Sequence, residues 1–319
     1  MRQQIIGAGQ RALLGASFLA IAVLILLVVL SLFRVHRILQ RSDSRKIDPS
    51  AYKLANQHVA SSIPPFEIYP DEEVPIKGRL PEGDILFPEK IPKVAILIDD
   101  LGYDKTQAEK FLNMGACFTF SILPHSPYQQ EIAYAAQERG YDVILHLPME
   151  PREFPKIDPG PGALLLSLPD SDFIRQLNID LDAVSFIKGV NNHMGSRMTA
   201  DLGHMVLLLK ELQRRNLFFV DSLTTAKSRV GDAARILGIP YYHRDVFLDH
   251  IPTRDFISKQ INLLISRALR HGTAIGIAHP HDLTFEVLRE AIYNLREKVE
   301  LAPVSAIAGN SIFFSNPVH

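Results

Sequence analysis

Short apolar runs that stop abruptly on a polar side chain recur along this chain, and they limit its fold more than any other feature. Residues 94–98 (VAILI) stop on Asp99-Asp100, residues 143–145 (VIL) on His146, and residues 217–220 (LFFV) on Asp221. Residues 274–278 (AIGIA) stop on His279, and residues 186–190 stop on Asn191-Asn192-His193. Strands buried on both faces read as continuous apolar runs rather than alternating ones. In α/β barrels the chemistry sits where such strands end. The pattern therefore predicts parallel strands whose ends gather acids, amides and histidines from most of the chain.

The stretches between these runs have helical patterning. A helix is expected from Asp104, with Gln107 as its capping-box partner, to near Gly115. Further helices are expected over residues 128–139, 171–182, 201–215, 231–237, 253–270 and 283–298, and further strands over 117–123, 142–145, 240–247, 273–278 and 299–307. The sole cysteine, Cys117, falls in the first of those strands as a buried small hydrophobe, and it excludes an intrachain disulfide. A Pro/Gly-rich loop over 148–162 is long enough to be a lid or binding loop. Seven or eight alternating βα units imply parallel strands joined by right-handed crossovers. No glycine-rich nucleotide fingerprint follows any strand, which favours a (β/α) barrel over an open doubly wound sheet.

The N-terminal part differs. Residues 13–33 contain no charge and are long enough to span a bilayer as a helix. No small-residue cleavage site follows, so an uncleaved membrane anchor is expected over 1–46, then a Pro-rich spacer over 47–91 and the catalytic body over 92–319. Residues 1–46 carry seven Lys/Arg and one acid, Asp43, leaving 27 basic and 34 acidic residues in the rest. So acidic a body excludes a nucleic-acid partner, which needs a basic footprint. The five basic residues from Arg34 to Lys46, against Arg2 and Arg11 before the span, would on their own place the body in the cytoplasm.

The polar strand ends supply the candidate site. Asp99 and Asp100 are neighbours, and strand alternation separates them unless the chain bends; one can then bind a metal while the other acts as a base. His146 and Glu150, in a loop with Pro148, are both acceptable zinc ligands. His193 lies in NNHMGSR (191–197) as a ligand or substrate contact, with Asn192 among its side-chain donors. Arg197 can clamp a carboxylate or hold an acid in place. Asp221 can orient another catalytic group, and Arg244 beside Asp245 is a substrate contact or half of an ion pair. His279 is preferred over His281 as a proton donor near neutral pH, leaving His281 to substrate.

Together, IDDLG (98–102), HLPME (146–150), NNHMGSRMT (191–199), DSLTT (221–225) and GIAHPH (276–281) resemble the polysaccharide deacetylase (NodB-like, carbohydrate esterase 4-like) superfamily, and specifically its divergent polysaccharide deacetylase branch. The resemblance spans about residues 92–310. It implies a distorted (β/α) barrel, a divalent metal, usually zinc, and removal of acetyl groups from N-acetylated sugars of cell-wall and related polysaccharides. By position it makes Asp99 the base, Asp100 and His146 metal ligands, His279 the general acid, and Asp221 the acid that positions His279. It also implies a carbohydrate substrate and an extracytoplasmic body on an inner-membrane anchor, against the charge flanks. Two departures stand out. Glu150 occupies the place of the usual second histidine, and the arginine-proline-tyrosine motif is missing, so either Glu150 or His193 completes the metal set. A non-catalytic glycan-binding or envelope-scaffold protein is the first alternative, and a hydrolase of the same fold that cleaves another amide or ester is the second.

Overall fold

The computed structural model describes residues 91–308. The expected anchor, its basic flanks and residues 47–90 of the spacer lie outside them. Among the described residues no helix is long and apolar enough to cross a membrane.

Strand and helix alternate as β1 (Lys93–Leu101), α1 (Lys105–Leu112), β2 (Thr119–Ile122), α2 (Gln129–Glu138), β3 (Asp142–Met149) and α3 (Asp170–Ala183). They continue as β4 (Ile187–Met194), α4 (Leu202–Arg214), β5 (Phe218–Asp221), α5 (Val230–Leu237), β6 (Tyr242–His243) and β7 (Val246–Phe247). The last are α6 (Arg254–His271), β8 (Thr273–Ala278), α7 (Asp282–Lys298), β9 (Glu300–Leu301) and α8 (Val304–Ala308). All strand pairs are parallel, in the order β6-β5-β4-β3-β2-β1-β8-β7, with β9 added beside β1.

The two ends of this sheet, β6 and β7, are separated in sequence only by Arg244 and Asp245. Three Cα–Cα steps cover at most roughly 11 Å, so the edges approach one another and the sheet is curled. The Arg244 N–H donates to Asp221 O at 2.9 Å, whereas the next N–H, on Asp245, donates to Ile275 O at 2.8 Å. The chain thus crosses from the β5 side to the β8 side within two residues, and the expected strand over 240–247 is split into two short ones.

Alternating side chains divide the interior into two apolar layers. Outward residues such as Val94, Ile96, Ile98, Val143, Leu145, Leu147, Val190 and Phe219 pack against the helices. Inward residues Ala95, Leu97, Ile144, Val220, Ile275 and Ile277 form a second cluster with Val304 and Ile307 of α8. The Val304 N–H donates to Thr119 Oγ1 and the Ser305 N–H to Asp142 Oδ2, both at 3.0 Å. The C-terminal segment therefore packs at the N-terminal ends of the strands, and the opposite, C-terminal ends carry the polar residues.

Several expected boundaries shift. β1 and β3 run on through Leu101 and Met149, so Asp99, Asp100 and His146 are strand residues. The expected strand over 299–307 is two residues long, because Pro303 cannot donate to a ladder and α8 follows at once. Cys117 lies half-buried just outside β2. Asp104 does cap α1, accepting from the Gln107 N–H at 3.0 Å, but the Gln107 side chain bonds Asp282 instead of returning to the cap.

Candidate metal centre

Inward parity assembles the site. Along β1 the inward series is Ala95, Leu97, Asp99; along β3 it is Ile144, His146; along β8 it is Ile275, Ile277, His279. On β4, Asn191 stands beside His146 in register and His193 follows two residues on. Asp100 would point outward by the same rule. Its φ of 56° lies in the left-handed region, and the β1–β2 register shifts between Ile98 and Leu101. That kink brings a second, buried carboxylate to the site beside the first.

Three atoms converge. Asp100 Oδ1 lies 3.0 Å from His146 Nε2 and 2.9 Å from His193 Nδ1, and the two histidine nitrogens are 3.2 Å apart. Asp100, His146 and His193 are all buried, and each offers one ligand atom to a common point. A tetrahedral zinc with ligands at about 2.0–2.2 Å separates its donors by roughly 3.3–3.6 Å, only slightly more than these distances. Asp100 Oδ1 is buried without a hydrogen-bond partner in the described structure, which suits a ligand atom and not a structural carboxylate. One carboxylate and two imidazoles fit a divalent cation with a position left open.

Two further groups flank this triangle. The Asp99 carboxylate accepts from Asn191 Nδ2 at 3.0 and 2.9 Å. Burial raises its pKa, and the His146 and His279 charges pull it back only in part. Burial also works against the Asp100 charge, but His193 and His146 outweigh it and hold that carboxyl well below the usual range. His279 Nε2 faces Asp100 Oδ2 at 3.8 Å, and its Nδ1 donates to Asp249 Oδ1 at 2.9 Å. Asp249 Oδ2 also accepts from the His279 backbone N–H and from Thr284 Oγ1. Burial disfavours the His279 charge, yet the Asp249, Asp100 and Asp99 carboxylates raise its pKa to about 9.

A sequence profile described as divergent polysaccharide deacetylase matches residues 96–308. The chain belongs to this family. The uncharacterized protein YibQ of Escherichia coli (strain K12) is 34% identical over 215 residues, 67% of this chain and 67% of YibQ. An uncharacterized protein of Haemophilus influenzae (strain ATCC 51907 / DSM 11121 / KW20 / Rd) is 35% identical over 209 residues, 66% of this chain and 74% of that one. Among solved structures, the uncharacterized protein ATU2773 from Agrobacterium tumefaciens C58 superposes with a TM-score of 0.66 at 26% identity, covering 69% of this chain and 90% of that one.

In this member of the family, several expected site residues are placed elsewhere. Asp221 does not reach His279. It shares the outward parity of Phe219 and instead accepts from Ser228 Oγ, Tyr241 Oη and the Leu223 N–H. Asp249 takes the expected position, a residue that sequence reasoning missed. Glu150 stands outside the ligand triangle; its Oε1 pairs with Arg197 at 2.6 Å and its Oε2 accepts the Leu166 N–H at 2.6 Å. It thereby holds the return of the loop after β3, and Arg197 holds Glu150. Asn192, outward like Val190, spends its amide on Met194 O and the Ser222 N–H. Its neighbour Asn191 is the one that faces the site. Arg244 donates to Ser222 O and Leu223 O with its guanidinium 5.1 Å above the Phe247 ring, binding the β5 loop to β7. His281 stacks beside His279 with ring centroids 6.0 Å apart, at the N-terminus of α7.

The Asp249–His279 pair makes a pH prediction. Because the His279 pKa is raised in the folded state, its contribution to stability is complete below about 6.5 and is lost as pH rises through about 9. Asp249→Asn removes the largest favourable charge and leaves burial opposed only by the Asp100 and Asp99 carboxylates. In metal-free protein the His279 midpoint, read by NMR titration, is then expected to fall from about 9 to near or below 6.5. A midpoint that stays in place would remove Asp249 from this role.

Proposed function

We propose that this protein is a metal-dependent hydrolase that removes acetyl groups from N-acetylated sugars of an envelope polysaccharide, on a NodB-like distorted barrel. The observation that carries this reading is the triangle of Asp100, His146 and His193 with a carboxylate, Asp99, and a histidine, His279, beside it. Asp100 Oδ1, His146 Nε2 and His193 Nδ1 would hold the ion, which we take to be zinc. A bound divalent cation supplies Lewis acidity toward the amide carbonyl and makes a neighbouring water easier to deprotonate.

The protein's own groups move the protons. Asp99, buried and with its pKa raised, takes a proton from the attacking water. His279, with its pKa raised by the neighbouring carboxylates and its ring fixed at Nδ1 by Asp249, offers the Nε2 proton to the departing amine. His281, beside His279, is the candidate contact to the sugar. Acetate release from acetylated chito-oligosaccharides and peptidoglycan fragments tests the reading. Zinc-loaded wild type should release acetate, and Asp99→Asn should lose about 10²–10⁴-fold in kcat. Zinc-loaded wild type inert on every acetylated glycan would leave the glycan-binding scaffold as the better account.

We also read residues 13–33 as a single inner-membrane span with the body on the extracytoplasmic side, where such polysaccharides lie. The length and charge-free composition of the run support a span. A reporter fused to the C-terminus should be active only outside the cytoplasm; activity only inside would sink the envelope-glycan substrate.

A further inference from the structure

Asn191 makes a set of contacts that no other amide in the site makes. It is fully buried at the inward face of β4, directly beside His146 in the parallel register. Its Oδ1 accepts from His146 Nδ1 at 2.9 Å and from Ser121 Oγ at 2.6 Å. Its Nδ2 donates to both oxygens of Asp99, at 3.0 and 2.9 Å, and lies 3.3 Å from Ser222 Oγ. An amide has one acceptor end and one donor end. A carboxylate accepts only, so Asp99 fixes which end is the NH₂, and the Oδ1 end must then face the imidazole.

We propose that Asn191 is a positioning residue that sets the metal ligand and the base together. Through Oδ1 it keeps the proton of His146 on Nδ1, which leaves the Nε2 lone pair directed at Asp100 and His193. Through Nδ2 it holds the Asp99 carboxylate with both oxygens engaged, so that the base keeps a fixed distance from the ligand triangle. Ser121 anchors the amide against rotation. The inference rests on the reading of Asp100, His146 and His193 as an ion site.

The full-length chain, purified in detergent, tests it with zinc as the probe. Zinc affinity comes from chelator competition, and the His146 Nδ1–H proton is followed by NMR with and without zinc. Asn191→Leu should lose the protected imidazole proton and weaken zinc about 10–100-fold, the usual cost of losing a partner behind a ligand. Asn191→Asp still accepts from His146 but sets a second carboxyl against Asp99, so that the pair shares a proton and the base is partly blocked. It should keep the proton signal and near-wild-type zinc affinity while kcat for acetate release falls with KM unchanged. Ser121→Ala should shift affinity and signal in the same direction as Asn191→Leu, by less. Wild-type affinity and an unchanged imidazole proton in Asn191→Leu would overturn the proposal. So would the same result in Ser121→Ala, should the leucine variant not fold. Wild type that binds no zinc defeats the ion-site reading separately. The imidazole proton read without zinc still decides Asn191, and its survival in the leucine variant counts against the proposal.

Discussion

Two adjacent aspartates on a strand point to opposite faces, and the whole site depends on breaking that rule once. Asp99 follows Ala95 and Leu97 inward by simple alternation. Asp100 is turned into the same space by a left-handed backbone, φ 56°, at the irregularity in β1. For a residue other than glycine that conformation costs roughly 1–2 kcal/mol and persists only where the surroundings over-determine it. Here the surroundings are two histidines from β3 and β4 and the strand β8, paired directly alongside β1. Without the kink, a base would face two imidazoles with no acidic ligand between them.

The charges follow from the same placement. Asp99, Asp100 and Asp249 are buried together with His146, His193 and His279. Burying a carboxylate without a partner is costly, so each is opposed by imidazole or amide donors. The compensation is uneven. Asp249 is satisfied by His279 and Thr284 and serves as support, whereas Asp100 Oδ1 is left without a hydrogen bond at the centre of the triangle. A cation there would complete the balance.

Much of this was legible in the residue order, because a parallel strand buried on both faces announces its own end. Asp99, Asp100, His146, His193 and His279 were singled out by that signal, and the structure brings them together. The failures have one physical root, the direction of a side chain on a strand. Asp221 ends β5 and Asn192 lies two residues inside the end of β4, both on the outward parity of Phe219 and Val190, so they brace the scaffold. Asn191, one residue away, has the inward parity. Asp249 was missed although Val246-Phe247-Leu248 stops on it like the other runs. Reading residues 240–247 as one strand hid a run that begins after a two-residue crossing between sheet edges. Glu150 was attractive by its spacing from His146, but β3 ends at Met149 and the chain turns there to meet Leu166 and Arg197.

The central claim is that Asp100, His146 and His193 share one divalent ion. Crystals soaked in zinc, with anomalous scattering recorded on both sides of the zinc edge, test it most directly. The account predicts a single strong peak about 2.0–2.2 Å from Asp100 Oδ1, His146 Nε2 and His193 Nδ1, with Glu150 still on Arg197. No peak there, or a peak bound by Glu150 in place of His193, would contradict it.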